Sequence, residues 1–208
     1  MSDSQNQRPE RKKNAFNNSK ITLSAPHPSA KGTYCQLAFD VWNNNPRVVV
    51  NTRDPNLQGR ENDFGKITAA MDPVSFQMLI ELIRAAVKSQ GKFKNKIECN
   101  NHEYVGGQRS QDIKTLADII VCKDDDGVVF ISVKSSKPSW PVVRFDFGFS
   151  DRRYHGLVKG DGTPWTKAEV SGIAALAFTN PLSALLASVL DTHYADTSGQ
   201  RGGGGGGW

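Results

Sequence analysis

Cysteine is scarce in this chain. Cys35, Cys99 and Cys122 are its only three, an odd number at wide spacing, which argues against a disulfide framework and fits a reducing compartment. Cys99 and His102 form one C-x-x-H pair with no second pair at ligand spacing, so no zinc site is expected. Apolar runs fall short of the roughly eighteen residues that cross a bilayer, and the opening MSDSQNQRPERKKNAFNNSK has no apolar signal region behind its charges. Neither membrane association nor a secretory leader is expected, and the chain reads as cytoplasmic. Common catalytic signatures are missing as well. There is no G-x-S-x-G elbow, no GK[ST] phosphate loop and no histidine pair at metal spacing, so the expectation is a non-enzyme that needs no cofactor and no metal.

What is present is a moderate excess of positive charge. Lys and Arg number 26 against 21 Asp and Glu, giving +5 and a pI near 9.1, a balance that suits a polyanionic partner. Residues 1–19 are rich in Asn, Gln, Ser, Lys and Arg; with so little to bury they read as a disordered basic arm. Residues 192–208 end in RGGGGGGW, and glycines without side chains predict a flexible tether that presents Arg201 and Trp208. Between the tails, residues 20–191 have the size of one domain.

That body repeats one plan, in halves 20–91 and 92–191. The first half has β-prone runs at Tyr34–Trp42, Arg47–Thr52 and Gly65–Met71, with the turn NNNP between the first two. Asp72 is a suitable N-cap, Pro73 suits the first helical position, and Phe76, Leu79, Ile80, Ile83 and Val87 then form one apolar stripe that runs to near Gly91. The second half has runs at Lys92–Cys99, Leu116–Lys123, Gly127–Ser136 and Pro141–Phe149, the middle two joined by the turn DDDG. Thr166 and Glu169 make a capping box. Val170, Ile173, Ala174, Ala177 and Phe178 carry a stripe expected to break at Asn180-Pro181, with a further helix from Leu182. The predicted class is α+β, two antiparallel sheets each followed by a helix, with one face of each sheet left free.

The run TLADIIVCKDDDGVVFISVKSS, followed by a strand and TPWTKAEVSGIAALAFTNPLSALL, resembles the C-terminal half of the Whirly single-stranded DNA-binding proteins. In that family an Asp-Gly hairpin leads to a strand and a helix opening on Thr-Lys-Ala-Glu, here Thr166 to Glu169. AKGTYCQLAFDVW and GKITAAMDPVSFQMLIELI stand where the family has its first strand and its strand into the first helix, and CNNHEYVGGQRSQDIKTL resembles its connecting segment. Of the family's lysine-glycine-lysine-alanine motif Lys31 and Gly32 are present, with Thr33 and Tyr34 in the next two places. The resemblance implies a ββββα-ββββα fold, single-stranded DNA as partner and a homo-oligomer, a tetramer by analogy. The tail ending in an aromatic resembles those by which bacterial and phage single-strand binding proteins recruit replication proteins, although this tail is not acidic.

A single-strand surface needs cations along the backbone and flat side chains for the bases. Lys31, Tyr34 and Trp42 lie on or beside the first strand, and Lys92, Lys94 and Lys96 alternate onto one face of another. Lys134, Lys137, Trp140 and Arg144 flank the second-half hairpin, Arg109 lies in the connecting segment, and Arg152, Arg153 and Tyr154 form a further cluster. Each set has a plainer reading. Alternating lysines also suit a solvated sheet face, and Phe145, Phe147 and Phe149 alternate as core residues do, with Arg144 and Asp146 outward. Trp140, placed in a loop, is the preferred stacking residue. The expected function is sequence-tolerant protection and presentation of single-stranded DNA in replication or recombination, in a phage or similar replicon. The alternatives are an RNA-binding protein and a metal-dependent nuclease of the restriction type. In the latter Asp118 and Lys134 would belong to the core and Ser132 occupies the place of a second acid, leaving one carboxylate where hydrolysis needs several oxygens. Asp124, Asp125 and Asp126 fit a hairpin turn.

Overall fold

The computed structural model describes residues 16, 21–42, 44–54, 56–57, 65–105, 108–148 and 157–192. In the first half, alternation decides what is buried. Strand β2 (Tyr34–Trp42) turns Cys35, Leu37 and Phe39 inward and leaves Tyr34 and Trp42 exposed. It pairs on one side with β1 (Leu23–Pro26) and on the other with β3 (Asn45–Asn51), which in turn pairs with β4 (Lys66–Ala70). All four strands are antiparallel, in the order β1-β2-β3-β4. The β2–β3 turn holds Asn44 at φ 64, a left-handed conformation asparagine tolerates better than most residues.

Helix α1 (Pro73–Lys88) starts as the sequence predicts: the Asp72 carboxylate accepts from the backbone N–H groups of Val74 and Ser75, and proline stands at the opening. Its buried side is Phe76, Leu79, Ile80, Ile83 and Ala86. The helix ends three residues before Gly91, where Lys123 Nζ donates to the Ser89 carbonyl at 2.7 Å and so complements the negative C-terminal end.

The second sheet has the order β5-β6-β7-β8, again antiparallel: β5 (Phe93–Val105), β6 (Gln108–Lys123), β7 (Val129–Ser135) and β8 (Val143–Asp146). Strands β5 and β6 run far past the others. Their outer parts, residues 100–105 and 108–115, form a two-stranded arm with register shifts at Cys99/Asn100 and His102/Tyr104. β4 packs against β6 and β1 against β8, so both sheets and α1 enclose one core. Phe145 and Phe147 lie in that core as expected, while Phe149 is outside the described residues. Phe16, within the segment that composition assigns to the N-terminal arm, is also buried there, edge-on to Phe76 at 5.9 Å.

Helix α2 (Lys167–Thr192) begins at the expected capping box, Glu169 accepting from Thr166 N–H at 2.8 Å and donating its own N–H to Thr166 Oγ1 at 3.2 Å. It then departs from the sequence reading. The helix runs unbroken through Pro181. The bond proline cannot donate would have gone to the Ala177 carbonyl, and both residues lie on the solvent side, where water satisfies the acceptor. The buried face is also not the expected stripe: Ser171, Ala175, Thr179, Leu182, Leu186 and Val189 are buried, whereas Ile173 and Ala177 are exposed. The continuous helix is long and apolar enough to cross a membrane by length and composition, a test that core helices also pass. The α+β class, with one four-stranded antiparallel sheet before each helix, is as predicted.

Candidate nucleic-acid interface

Each sheet keeps one outer face. On the first, the strand register sets Tyr34, Gln36, Ala38, Asp40 and Trp42 of β2 beside Asn51, Val49, Arg47 and Asn45 of β3 and Lys66, Thr68 and Ala70 of β4. Between its ends this face carries small and polar side chains and one internal ion pair, with an aromatic side chain at each end. Tyr34 is 45% exposed and Trp42 52%. Eight residue steps along the strand separate them, a span of about 26 Å at the usual rise.

Its one acid does not oppose an anion. Asp40 is buried and held by Arg47, which also lies 5.4 Å from the Trp42 ring. Around the Tyr34 end gather Lys31, in the turn before β2, Arg53, just past β3, and Lys66; all are at the surface and none is ion-paired among the described residues. The approach to this end is fixed from inside. His27 Nδ1 accepts from the backbone N–H groups of Ser29 at 3.1 Å and Ala30 at 2.8 Å, and His27 N–H donates to the Thr33 carbonyl at 2.8 Å, closing the loop that carries Lys31 up to Tyr34. With Nδ1 accepting, the ring proton sits on Nε2, which faces Asp54 at 3.4 Å.

The second sheet's outer face carries four of the cations singled out in the sequence, Lys94, Lys96, Lys134 and Arg144, and acids meet two of them. Lys94, Lys96 and Glu98 of β5 stand beside Cys122, Ile120 and Asp118 of β6, then Phe130, Ser132 and Lys134 of β7 and Asp146 and Arg144 of β8. Lys96 Nζ contacts Glu98 at 2.6 Å and Asp118 at 3.6 Å, and its pKa rises, mainly through the hydrogen bond to Glu98. Lys92 pairs with Asp125 at 3.0 Å. Arg144 contacts Asp124 at 2.7 Å and Asp146 at 2.5 Å and lies 3.7 Å over the Phe130 ring. Its partial burial opposes the charge, but the hydrogen bonds to Asp146 and Asp124 outweigh that and raise its pKa. Only Lys94 and Lys134 of this set are without an ion pair among the described residues. A face of alternating sign attracts a polyanion weakly.

The remaining candidates lie apart. Trp140 is half-buried against the core, in the β7–β8 loop, with Lys137 Nζ 4.5 Å from its ring, so packing accounts for much of a side chain that the sequence marks for stacking. Arg109 is exposed on the arm. Arg152, Arg153, Tyr154, Arg201 and Trp208 lie outside the described residues.

No group of three or more His, Cys, Asp or Glu side chains that could hold a metal ion occurs among the described residues. Asp118 has Glu98 and Lys134 as cross-strand neighbours, Lys96 Nζ lies 3.6 Å from its carboxylate, and Ser132 stands where the restriction-type core would have its second acid. The three thiols are buried, and burial pushes Cys35 and Cys99 up to about 11 and raises Cys122 as well, which keeps them in the unreactive thiol form. Sequence reasoning passed over Arg47, Arg53 and Lys66, which reach the first sheet's face only through strand pairing. No protein-family model, no curated protein and no solved structure matches this chain.

Proposed function

We propose that this protein binds single-stranded DNA with little sequence preference, protecting the strand and presenting it to partner proteins during replication or recombination, as a phage or similar replicon requires. The observation that carries the reading is the outer face of the first sheet, where Tyr34 and Trp42 flank a surface whose one acid is neutralised by Arg47, and Lys31, Arg53 and Lys66 gather at one end. Bases stack on exposed rings whatever their identity, at about 1–3 kcal/mol each, and cations beside them hold the phosphates. A duplex hides its base faces and gains nothing from such rings. The strand-helix order agrees with the plan the Whirly resemblance implies.

Two stacking side chains per protomer make a weak site, which repeated copies strengthen through linked binding. The helices offer a surface for assembly. No charged residue interrupts α2 between Glu169 and Asp191, and its outer side exposes Ile173 and Leu176, while α1 exposes Val74 and Met78. Helices apolar on all sides are normally covered. We take this surface as the contact between copies, with a tetramer as the family analogy suggests, and the tail with Arg201 and Trp208 as a hook for replication proteins.

The test is competition among a single strand, its duplex and an RNA strand of equal length, with magnesium present and the products run on a gel. Tighter binding of the DNA strand with no cleavage supports the proposal. Equal or tighter RNA binding supports the RNA alternative, and magnesium-dependent cutting supports the nuclease.

A further inference from the structure

At the seam where β4 of the first sheet meets β5 of the second, a cleft of about 330 Å³ opens beside the start of α1. Its deeper wall is apolar: Met71 and Cys99 are buried, and Ala70 and Ile97 half-buried. Its rim is polar. Asn100 and Asn101 of β5 stand on one side with their carboxamide oxygens already used, Asn100 Oδ1 accepting from Thr115 Oγ1 at 2.7 Å and Asn101 Oδ1 from His102 N–H at 2.8 Å. Those two bonds turn the oxygens toward the protein and leave the NH₂ groups as the donors to a ligand. Carboxylates supply the acceptors. Asp72 is committed to its cap, but Lys96 takes only Oε1 of Glu98.

No lysine or arginine lines this cleft, and two carboxylates do. A phosphate is therefore excluded, and a neutral flat molecule with N–H donors and carbonyl acceptors is favoured. The volume lies at the small end of ligand sites and holds one nucleoside. The rim also includes Asn45, the cross-strand neighbour of Trp42, so the cleft adjoins one end of the aromatic face. We propose that it is a pocket for a single nucleobase turned out of the strand that crosses the first sheet. This rests on the single-strand reading above. The strand's phosphates then stay on the cationic side, and one base per protomer leaves the stack and inserts between the two sheets, its edge meeting the Asn100 and Asn101 amides and Glu98.

The experiment uses the full chain and two probes. The first is cytidine, a nucleoside without phosphate, titrated while the Met71 methyl and the Asn100 and Asn101 side-chain amides are followed by NMR. Saturable shifts at these three positions are expected. The second is a pair of equally long strands, one of deoxycytidine and one abasic, tested against wild type, Ser75→Phe, which fills the cleft from the start of α1 and leaves the sheet face untouched, and Asn101→Leu, which changes only an exposed rim residue. Both variants should lose about tenfold on the base-bearing strand and nothing on the abasic one. Wild-type affinity in both variants, with no cytidine shifts at those positions, overturns the pocket and leaves the single-strand function standing. Failure of wild type to bind any strand overturns the function and the pocket with it.

Discussion

Replacing Trp42 by alanine separates the two sheet faces as binding surfaces. Trp42 is 52% exposed at the end of β2 and lies outside the buried core, so the fold should survive its removal. The Arg47 guanidinium 5.4 Å from the ring contributes about 0.5–1 kcal/mol at an exposed site. In binding, the loss is one base stack, about 1–3 kcal/mol, a weakening of about 5- to 150-fold. Tyr34→Ala at the other end should cost a similar amount, and the double variant should approach the sum because the two lie about 26 Å apart. The comparison is Arg144→Gln on the second sheet, whose guanidinium is already held by Asp124 and Asp146; its affinity should stay within about twofold. Fluorescence anisotropy with a labelled strand at fixed salt reads all of them. Wild-type binding in Trp42→Ala and Tyr34→Ala, with a large loss in Arg144→Gln, would refute the assignment of the face.

Other consequences are open to direct measurement. Neutralising Lys31, Arg53 or Lys66 to glutamine should each lower the slope of log affinity against log salt by about 0.7, whereas Lys96→Gln should leave it unchanged. Ser171→Ala removes the buried hydroxyl that accepts from Val129 N–H at 2.9 Å and donates to its carbonyl at 3.0 Å; urea titration should show a loss of about 1–3 kcal/mol. Gly65 has φ +67, and a Cβ there would lie 2.2 Å from Thr52 Oγ1, so Gly65→Ala should lower the melting temperature by many degrees or prevent folding. The Glu169 carboxyl is lowered from 4.5 to about 2, first by the Thr166 backbone N–H and then by Lys159 and the Thr166 hydroxyl. Its support of α2 should be complete above pH 4.5 and disappear as pH falls through about 2, which a carboxyl NMR titration with Glu169→Gln as reference would follow.

Legibility in the sequence followed local contrast. β2 stood out because inward Cys35, Leu37 and Phe39 alternate with more polar neighbours before an asparagine-rich turn, and α1 because Asp72-Pro73 opens a stripe with a polar opposite side. The cap at Thr166 and Glu169 was equally local. α2 lacks such contrast: with alanine and leucine on every side, its buried face is chosen by α1 and β7, and nothing in the helix itself announces it. The arm at residues 100–115 is polar on both strands, so neither its pairing nor its bulges leave an apolar pattern. Phe16 is a lone apolar residue in polar surroundings, and only the pocket formed by Phe39 and Phe76 reveals its place.

The candidate site divides in the same way. The alternation of Lys92, Lys94 and Lys96 was visible, and so was Glu98 two residues on, but Asp125 and Asp118, which meet Lys92 and Lys96, arrive through strand pairing whose register no local signal reports. Tyr34 was visible because it begins an alternating strand. Its cationic company from Arg53 and Lys66 depends on three strands arriving in one register.

The central claim is that an exposed single strand, and not a duplex, is what this surface fits. Its most direct test is titration of a labelled strand of about thirty bases and of its duplex at several salt concentrations with magnesium present. The account predicts tighter binding of the single strand, affinity that falls with salt at about 0.7 log unit per phosphate contacted, and an uncut strand afterwards. Equal or tighter binding of the duplex would contradict it.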